Sequence, residues 1–365
     1  MTHSPQMLDG LGHPVVVGEG LLDRLGELFL EWAPAHRYAV ITDSNVSRLY
    51  ADRVAASFDR ARTEADVFTF PAGEPHKTRE TWATLTDEIL TTGFGRDSSI
   101  VALGGGVVRD LACCVAATYM RGVPVLDVPT TLVAMVDSAI GGKTGVDVPA
   151  GKNLVGAFHT PAGVVADPQV LSTLPLREFQ AGLAEVLKHG AIADESYFVE
   201  VAGALPELLS VDHGGPAKLQ QIIARSIAMK INIVGADIGE AGARKVLNFG
   251  HTVGHAIEAA SGFSLLHGEA IAIGMVVEAA AAERQGIAES GTADRIRSAL
   301  SAAGLPVELP EEITAAVVME AAATDKKKRG GVLEYSVPRR LGEMAREGNE
   351  WTVRLSEDVL LEVLR

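Results

Sequence analysis

At 365 residues the chain is longer than one hydrophobic core usually serves, so two domains are expected. Apolar residues make up 47% and aromatics only 5%, the composition of an Ala- and Val-rich globular protein with a large core. The formal charge of −15, with no basic stripe to offset it, argues against nucleic acid and anionic membranes as partners.

The first residues, Met1-Thr-His-Ser-Pro-Gln-Met7, lack a basic region followed by an apolar run, so no secretory signal is expected. Short β-branched runs follow at His13–Val17, Tyr38–Thr42, Asp66–Phe70, Ser99–Leu103, Val123–Asp127 and Gly163–Ala166, separated by segments of helical length. Leu21, Leu25, Leu28 and Phe29 show the period of one such helix. Strand-then-helix order repeated this way predicts a mostly parallel sheet covered on both faces. Asp43, in Thr42-Asp-Ser-Asn45, ends the second run and is either a ribose contact or an ordinary turn former. Glu74 and Lys77 lie three apart in a loop that reads, by itself, as a surface turn.

Val101-Ala-Leu-Gly-Gly-Gly106 is a strand feeding a glycine turn, followed by a helix from Val107 to Tyr119. Such glycines let the backbone approach a pyrophosphate at a helix N-terminus. The third glycine of a full dinucleotide fingerprint would fall at position 109, which is Arg109, so the match is partial. The only cysteines, Cys113 and Cys114, are adjacent, which suits free thiols in a reducing compartment and hence a cytoplasmic protein. Between Pro129 and Phe158, the segments Gly141-Gly-Lys143-Thr-Gly145 and Gly151-Lys-Asn153 are dense in small residues and amines, suited to a small anionic substrate. A P-loop is not expected, because the glycine required at position 137 is Asp137.

From Glu178 to Ala323 the pattern turns helical, with Thr173-Leu-Pro-Leu-Arg177 as the junction. Glu185 and Lys188 share a helix face, as do His251 and His255, and His267-Gly-Glu269 opens another helix. Spacing leaves open whether His255 binds metal or substrate. The most apolar stretch, Ala270–Val277, is too short to span a bilayer. Lys326-Lys-Lys-Arg329 reads as a solvated basic segment or a cap over an anionic substrate end. Val332–Val337 and Trp351–Leu355 are expected to pair as a small hairpin.

Taken together, Gly104-Gly-Gly-Val-Val-Arg-Asp110, Pro129-Thr-Thr-Leu132, Asp137-Ser138, Gly141–Gly145, Gly151-Lys-Asn-Leu-Val-Gly156, Gly182–Lys188, Leu247-Asn-Phe-Gly-His-Thr-Val-Gly-His-Ala-Ile-Glu258 and His267-Gly-Glu-Ala270 resemble the 3-dehydroquinate synthase family of sugar-phosphate cyclases. The resemblance runs in order from about Asp43 to about Lys327. It implies an α/β Rossmann-like N-terminal domain (1–175) binding NAD and an all-α C-terminal domain (176–365) binding a divalent metal, zinc or cobalt. It further implies Glu185, His251 and His267 as metal ligands. Asp43, Asn45, Glu74, Lys77, Gly105, Gly106, Val107, Asp110, Thr130, Thr131, Lys152 and Thr173 would contact NAD. Catalysis would fall to Lys152, Asn153, Lys188, His255, Asp137 and Lys143. Substrate binding would fall to Lys230, Arg244, Asn248, Lys326 and, across a homodimer, Arg121. The implied activity converts 3-deoxy-D-arabino-heptulosonate 7-phosphate to 3-dehydroquinate and phosphate, a step of the shikimate pathway to aromatic amino acids. The alternatives are another sugar-phosphate cyclase or a metal-dependent polyol-phosphate dehydrogenase, and the intact Gly141–Gly145 segment favours the seven-carbon acid. Arg109 and Cys113 stand where the family usually has glycine, and Tyr335–Arg340 departs from its usual apolar ending.

Overall fold

The computed structural model describes residues 4–9, 11–210, 213, 215–239, 242–328 and 333–365, with backbone alone for 324–328. By internal contacts the chain divides into two units, one of residues 1–174 with 215–231 and one of 175–214 with 232–365.

The first unit is built on β1 (Gln6–Asp9), β2 (Pro14–Val17), α1 (Leu25–Trp32), β3 (Arg37–Asp43), α2 (Ser44–Arg60), β4 (Glu64–Phe70), α3 (Arg79–Thr91), β5 (Ser99–Gly104), α4 (Gly106–Thr118), β6 (Val125–Pro129), β7 (Val146–Val148), β8 (Gly151–Val155) and β9 (Gly163–Ala166). Seven strands form one sheet in the order β1-β2-β9-β6-β5-β3-β4. Only β1 runs antiparallel to its neighbour. Every residue of β5, β6 and β9 is buried, as strands covered on both faces require, which is why they read as mostly apolar runs, broken in β6 by Asp127. Strand β1 is mostly exposed and has no such run, which is why the sequence did not announce it. The stretch expected as loops between Pro129 and Phe158 contains one π-helical turn, Ala134–Ser138, and the β7–β8 hairpin.

The second unit holds α5 (Leu176–Ala193), α6 (Glu195–Leu208), the end of α7 (Pro216–Ala236), α8 (His251–Ala260), α9 (His267–Arg284), α10 (Thr292–Ala302), α11 (Ala315–Lys328), a two-stranded β10 (Pro338–Arg340) and β11 (Glu343–Met344), and α12 (Glu357–Val363). The units differ from a single cut after residue 175. Residues 215–231 cluster with the sheet: Leu219, Ile222, Ile223 and Ile227 are buried, and Gln220 donates to the Ser4 carbonyl at 2.9 Å. The C-terminal hairpin reduces to one antiparallel bridge, Tyr335 to Val353, while residue 332 lies outside the described residues.

Helices α5 and α9 are buried almost all round, the expected state of helices with so little polar face. Glycines let their backbones approach closely. A Cβ on Gly268 would lie 2.0 Å from the Ala181 carbonyl of α5. One on Gly274 would lie 2.1 Å from the Gly250 carbonyl and 2.7 Å from the Gly254 nitrogen of α8. Glu278, wholly buried on α9, accepts from the Gly250 and Val253 amides at 2.7 and 3.0 Å and so anchors the first turn of α8. At the other end of α9, Glu269 accepts the Leu266 amide at 2.7 Å and both arms of Arg177 at 2.7 Å.

Candidate active site

The three helices fixed by those glycines each deliver one side chain to a single point. Ligand atoms of Glu185 (α5), His251 (α8) and His267 (α9) all lie within 4.8 Å of one another. Glu185 is fully buried, and neither carboxylate oxygen has a well-formed hydrogen bond among the described residues. Its Oε1 lies 3.5 Å from His267 Nε2 and 3.8 Å from His251 Nε2, and Lys188 Nζ sits against Oε2. The His251 Nδ1 atom is 3.1 Å from the Phe249 carbonyl, which directs Nε2 toward Glu185. Likewise His267 Nδ1 lies 3.4 Å from Glu258 Oε2. One carboxylate and two imidazole Nε2 atoms, each imidazole steered by an acceptor on its other nitrogen, is the donor set of an open divalent-metal site. These residues fit the ion that the sequence resemblance implied.

His255 is exposed, and its ring centre lies 5.1 Å from that of His251 and 5.8 Å from that of His267. It is absent from the Glu185 triplet and groups instead with Glu258 and His267. The Glu185–Lys188 pair is not a solvated surface bridge, since both side chains are almost wholly inaccessible. Arg244 is buried, its backbone amide bound to Asp237 Oδ2 at 3.0 Å and its guanidinium to the Ile238 carbonyl at 3.0 Å. Asn248 ends the turn of helix just before His251. Lys326 lies on α11, where only the backbone is described, and Arg329 lies outside the described residues.

Burial would protonate Glu185, but Lys188 and the two imidazoles hold it ionised, well below the usual carboxylate range. Burial and then Lys188 push His251 far down, so its ring is neutral. Burial also disfavours a charged His267, yet Glu185 and Glu258 outweigh it and raise that ring to about 9. Without metal at pH 7, His267 therefore carries the proton that an ion must displace. Metal affinity is expected to rise about tenfold per pH unit up to roughly pH 9 and then flatten. Calorimetry in buffers of different ionisation enthalpy should register about one proton released per ion at pH 7. Metal uptake without proton release would contradict this charge assignment.

The sheet unit carries the remaining residues. Gly105 precedes α4, whose N-terminus has no side-chain cap, and a Cβ there would lie 2.9 Å from Thr131 Cγ2. Gly106 and Val107 open the same helix, and the Thr130 amide bonds the Gly104 carbonyl at 2.9 Å, so this turn presents backbone amides to an anion. Asp43 realises its structural reading: Oδ1 caps α2 through the Asn45 and Val46 amides at 2.8 and 2.9 Å. Thr173 and Tyr50 share a hydrogen bond of 2.5 Å. The Glu74–Lys77 pair is more than a surface turn. Lys77 is buried, with Glu74 at 2.9 Å, Asp110 at 3.5 Å and Asp147 at 3.6 Å, while Lys152 reaches Glu74 at 3.3 Å. Asn153 adopts a left-handed φ of 54° and bonds Asp147 Oδ1 through its amide at 2.8 Å. Asp137, in the π-helical turn, receives Lys230 Nζ at 2.6 Å, a pairing between two residues of the sheet unit. Arg121 is exposed with φ of 70°, beside Met120 at 49°.

Sequence reading missed Asp147, Asp127, Glu258 and Glu278. Only Glu258 left a signal, seven residues after His251 and hence on the same helix face.

The family profile described as 3-dehydroquinate synthase N-terminal matches residues 67–181, and the C-terminal profile matches 182–328. The chain belongs to the 3-dehydroquinate synthase family. A 3-dehydroquinate synthase from Symbiobacterium thermophilum is 46% identical over 334 residues, covering 91% of this chain and 92% of the relative. Among solved structures, 2-deoxy-scyllo-inosose synthase complexed with carbaglucose-6-phosphate, NAD+ and Co2+ superposes with a TM-score of 0.89 at 27% identity, covering 99% of both chains. ValA, a 2-epi-5-epi-valiolone synthase from Streptomyces hygroscopicus subsp. jinggangensis 5008 with NAD+ and Zn2+ bound, gives 0.87 at 27% identity, covering 99% of this chain and 98% of that one. These matches establish the two-part cyclase fold. The higher identity belongs to the dehydroquinate-forming relative and not to the inosose or valiolone synthases.

Proposed function

We propose that this chain is a 3-dehydroquinate synthase, an NAD- and divalent metal-dependent lyase that eliminates phosphate from 3-deoxy-D-arabino-heptulosonate 7-phosphate and closes the carbocycle. What carries the reading is 46% identity to a relative of that name across nine-tenths of the chain, together with the Glu185–His251–His267 triplet. NAD bound at the α4 turn would accept and return a hydride, and the metal would act as a Lewis acid toward substrate hydroxyls.

The chain's own residues supply placement and charge. Lys188 keeps Glu185 ionised, and the Phe249 carbonyl and Glu258 aim the two imidazoles. In the sheet unit, Glu74, Lys77 and Asp110 would fix the cofactor alongside Asp43, Asn45, Gly105, Gly106, Val107, Thr130, Thr131 and Thr173. Lys152 and Asn153 would stabilise departing phosphate and the carbanion it leaves, with Asp137, Lys143 and Lys230 holding substrate anions and hydroxyls. Lys188, Arg244, Asn248, His255 and Lys326 would contribute from the helical unit. The exposed His255 would exchange a proton with the substrate, and the leaving phosphate would serve as the base for elimination.

We assign the active form as a homodimer. The exposed Leu154, Val155 and Phe158 supply apolar surface, and Arg121, in its left-handed turn, would reach the partner's phosphate site. A monomer by sedimentation would remove that role. No helix among the described residues is long and apolar enough to cross a membrane, and we place the enzyme in the cytoplasm.

The decisive assay measures inorganic phosphate released from the seven-carbon substrate with NAD present, with and without chelator. Release that chelator abolishes, with no net NADH formed, is the expected result. Accumulating NADH would favour a dehydrogenase, and release only from another sugar phosphate would favour another cyclase.

A further inference from the structure

The residue at which the dinucleotide fingerprint breaks is the centre of a buried charge network. Where a third glycine would let helix and strand close up, Arg109 inserts a guanidinium that is 1% exposed. Its Nε atom donates to Asp127 Oδ2 at 3.0 Å, and Asp127 lies fully buried in the middle of β6 between Leu126 and Val128. Its Nη1 donates to Asp110 Oδ1 at 3.2 Å and to the backbone carbonyl of Lys143. The other Asp110 oxygen faces Lys77, which faces Glu74, which faces Lys152. Alternating charges therefore run from the central strand to the nucleotide-facing loops, and one arm of Arg109 also grips the Gly141–Gly145 segment.

Stability alone does not account for this arrangement. A buried ion pair costs about as much in desolvation as it returns in attraction, and this one is imperfect. Arg109 Nη2 and Asp127 Oδ1 are both buried without a hydrogen-bond partner among the described residues. The planar fork of arginine, unlike a lysine ammonium, can hold three acceptors in fixed directions at once.

We infer that Arg109, oriented by Asp127, is a positioning residue that ties the cofactor-binding Asp110 to the substrate loop at Lys143, so that the two binding sites share one rigid support. The inference rests on the function proposed above, which assigns Asp110 to NAD and Lys143 to substrate.

The test compares R109M/D127L, which removes both buried charges together, with R109K, which keeps the charge opposite Asp127 but loses the fork. Calorimetry with NAD itself, kinetics of phosphate release and thermal unfolding are read on each. Both variants are expected to show the NAD Kd and substrate KM raised about tenfold, with kcat at saturation within about threefold of wild type. A folded R109M/D127L with unchanged Kd and KM, whatever its Tm, would overturn the inference and leave the pair merely structural. If the double variant does not fold, wild-type KM and Kd in R109K would do the same. Failure of the functional reading is separable, because it appears in the wild-type enzyme as absence of phosphate release.

Discussion

Substituting alanine for His251 is expected to remove bound metal and turnover together. His251 supplies one of three donors, its ring is neutral at working pH, and its Nε2 lies 3.8 Å from Glu185 Oε1 with Nδ1 engaged by the Phe249 carbonyl. The remaining carboxylate and single imidazole would bind an ion far more weakly. Loss of a Lewis acid worth several kcal/mol corresponds to a drop of about 10³-fold in kcat. Metal content by atomic emission and phosphate release, measured on one preparation, check both halves. The contrast is His255→Ala: this exposed ring is outside the triplet, so that variant should retain stoichiometric metal while losing turnover. Full activity with stoichiometric metal in His251→Ala would eliminate the proposed ligand set.

The second large effect lies away from any proposed ligand. Gly274→Ala adds one methyl group, but that methyl would lie 2.1 Å from the Gly250 carbonyl and 2.7 Å from the Gly254 nitrogen. Backbone atoms cannot rotate aside, so α8 and α9 must separate, at a cost of about 3 kcal/mol or more. Separation breaks the Glu278 bonds to Gly250 and Val253, leaving a buried carboxyl and two amides unsatisfied. It also draws His251 away from His267. Gly274→Ala is therefore expected to lower both Tm and metal affinity, whereas Gly286→Ala, in the exposed turn just past the end of α9 with nothing within 4 Å of the added atom, meets only the strain of its left-handed φ of 70° and should leave metal affinity unchanged. Wild-type unfolding and metal binding in Gly274→Ala would show that these helices have slack which the geometry denies.

Much of the fold was legible because burial on both faces writes itself as uninterrupted apolar runs, as in Ser99–Leu103 and Gly163–Ala166. The edge strand β1 has one solvent-facing side and left no such mark. Residues 215–231 look like any amphipathic helix, and nothing in their period says that they group with the sheet unit while 232–236 of the same helix group with the other. At the proposed metal site, the residue types could be read from motifs, but which of His251 and His255 groups with Glu185 could not. Both face the same side of α8, and the choice depends on where α5 places Glu185. Asp43, left open between a ribose contact and a turn former, has a short polar chain that caps its own helix. Arg109 was visible as an oddity in the glycine pattern, while its partner Asp127 gave no sign, because strand sequence does not reveal which helix residue will face it.

The two thiols of α4 have a use of their own. Cys113 and Cys114 are enclosed in the core against the sheet, and burial pushes both toward the unreactive protonated form. An alkylating reagent can reach Cys113 only when the helix lifts from its bed, so its labelling rate times that opening. The chain thus carries a built-in stopwatch on the element at whose N-terminus NAD is proposed to sit, and added dinucleotide should slow it by a factor that grows with the ratio of its concentration to its Kd.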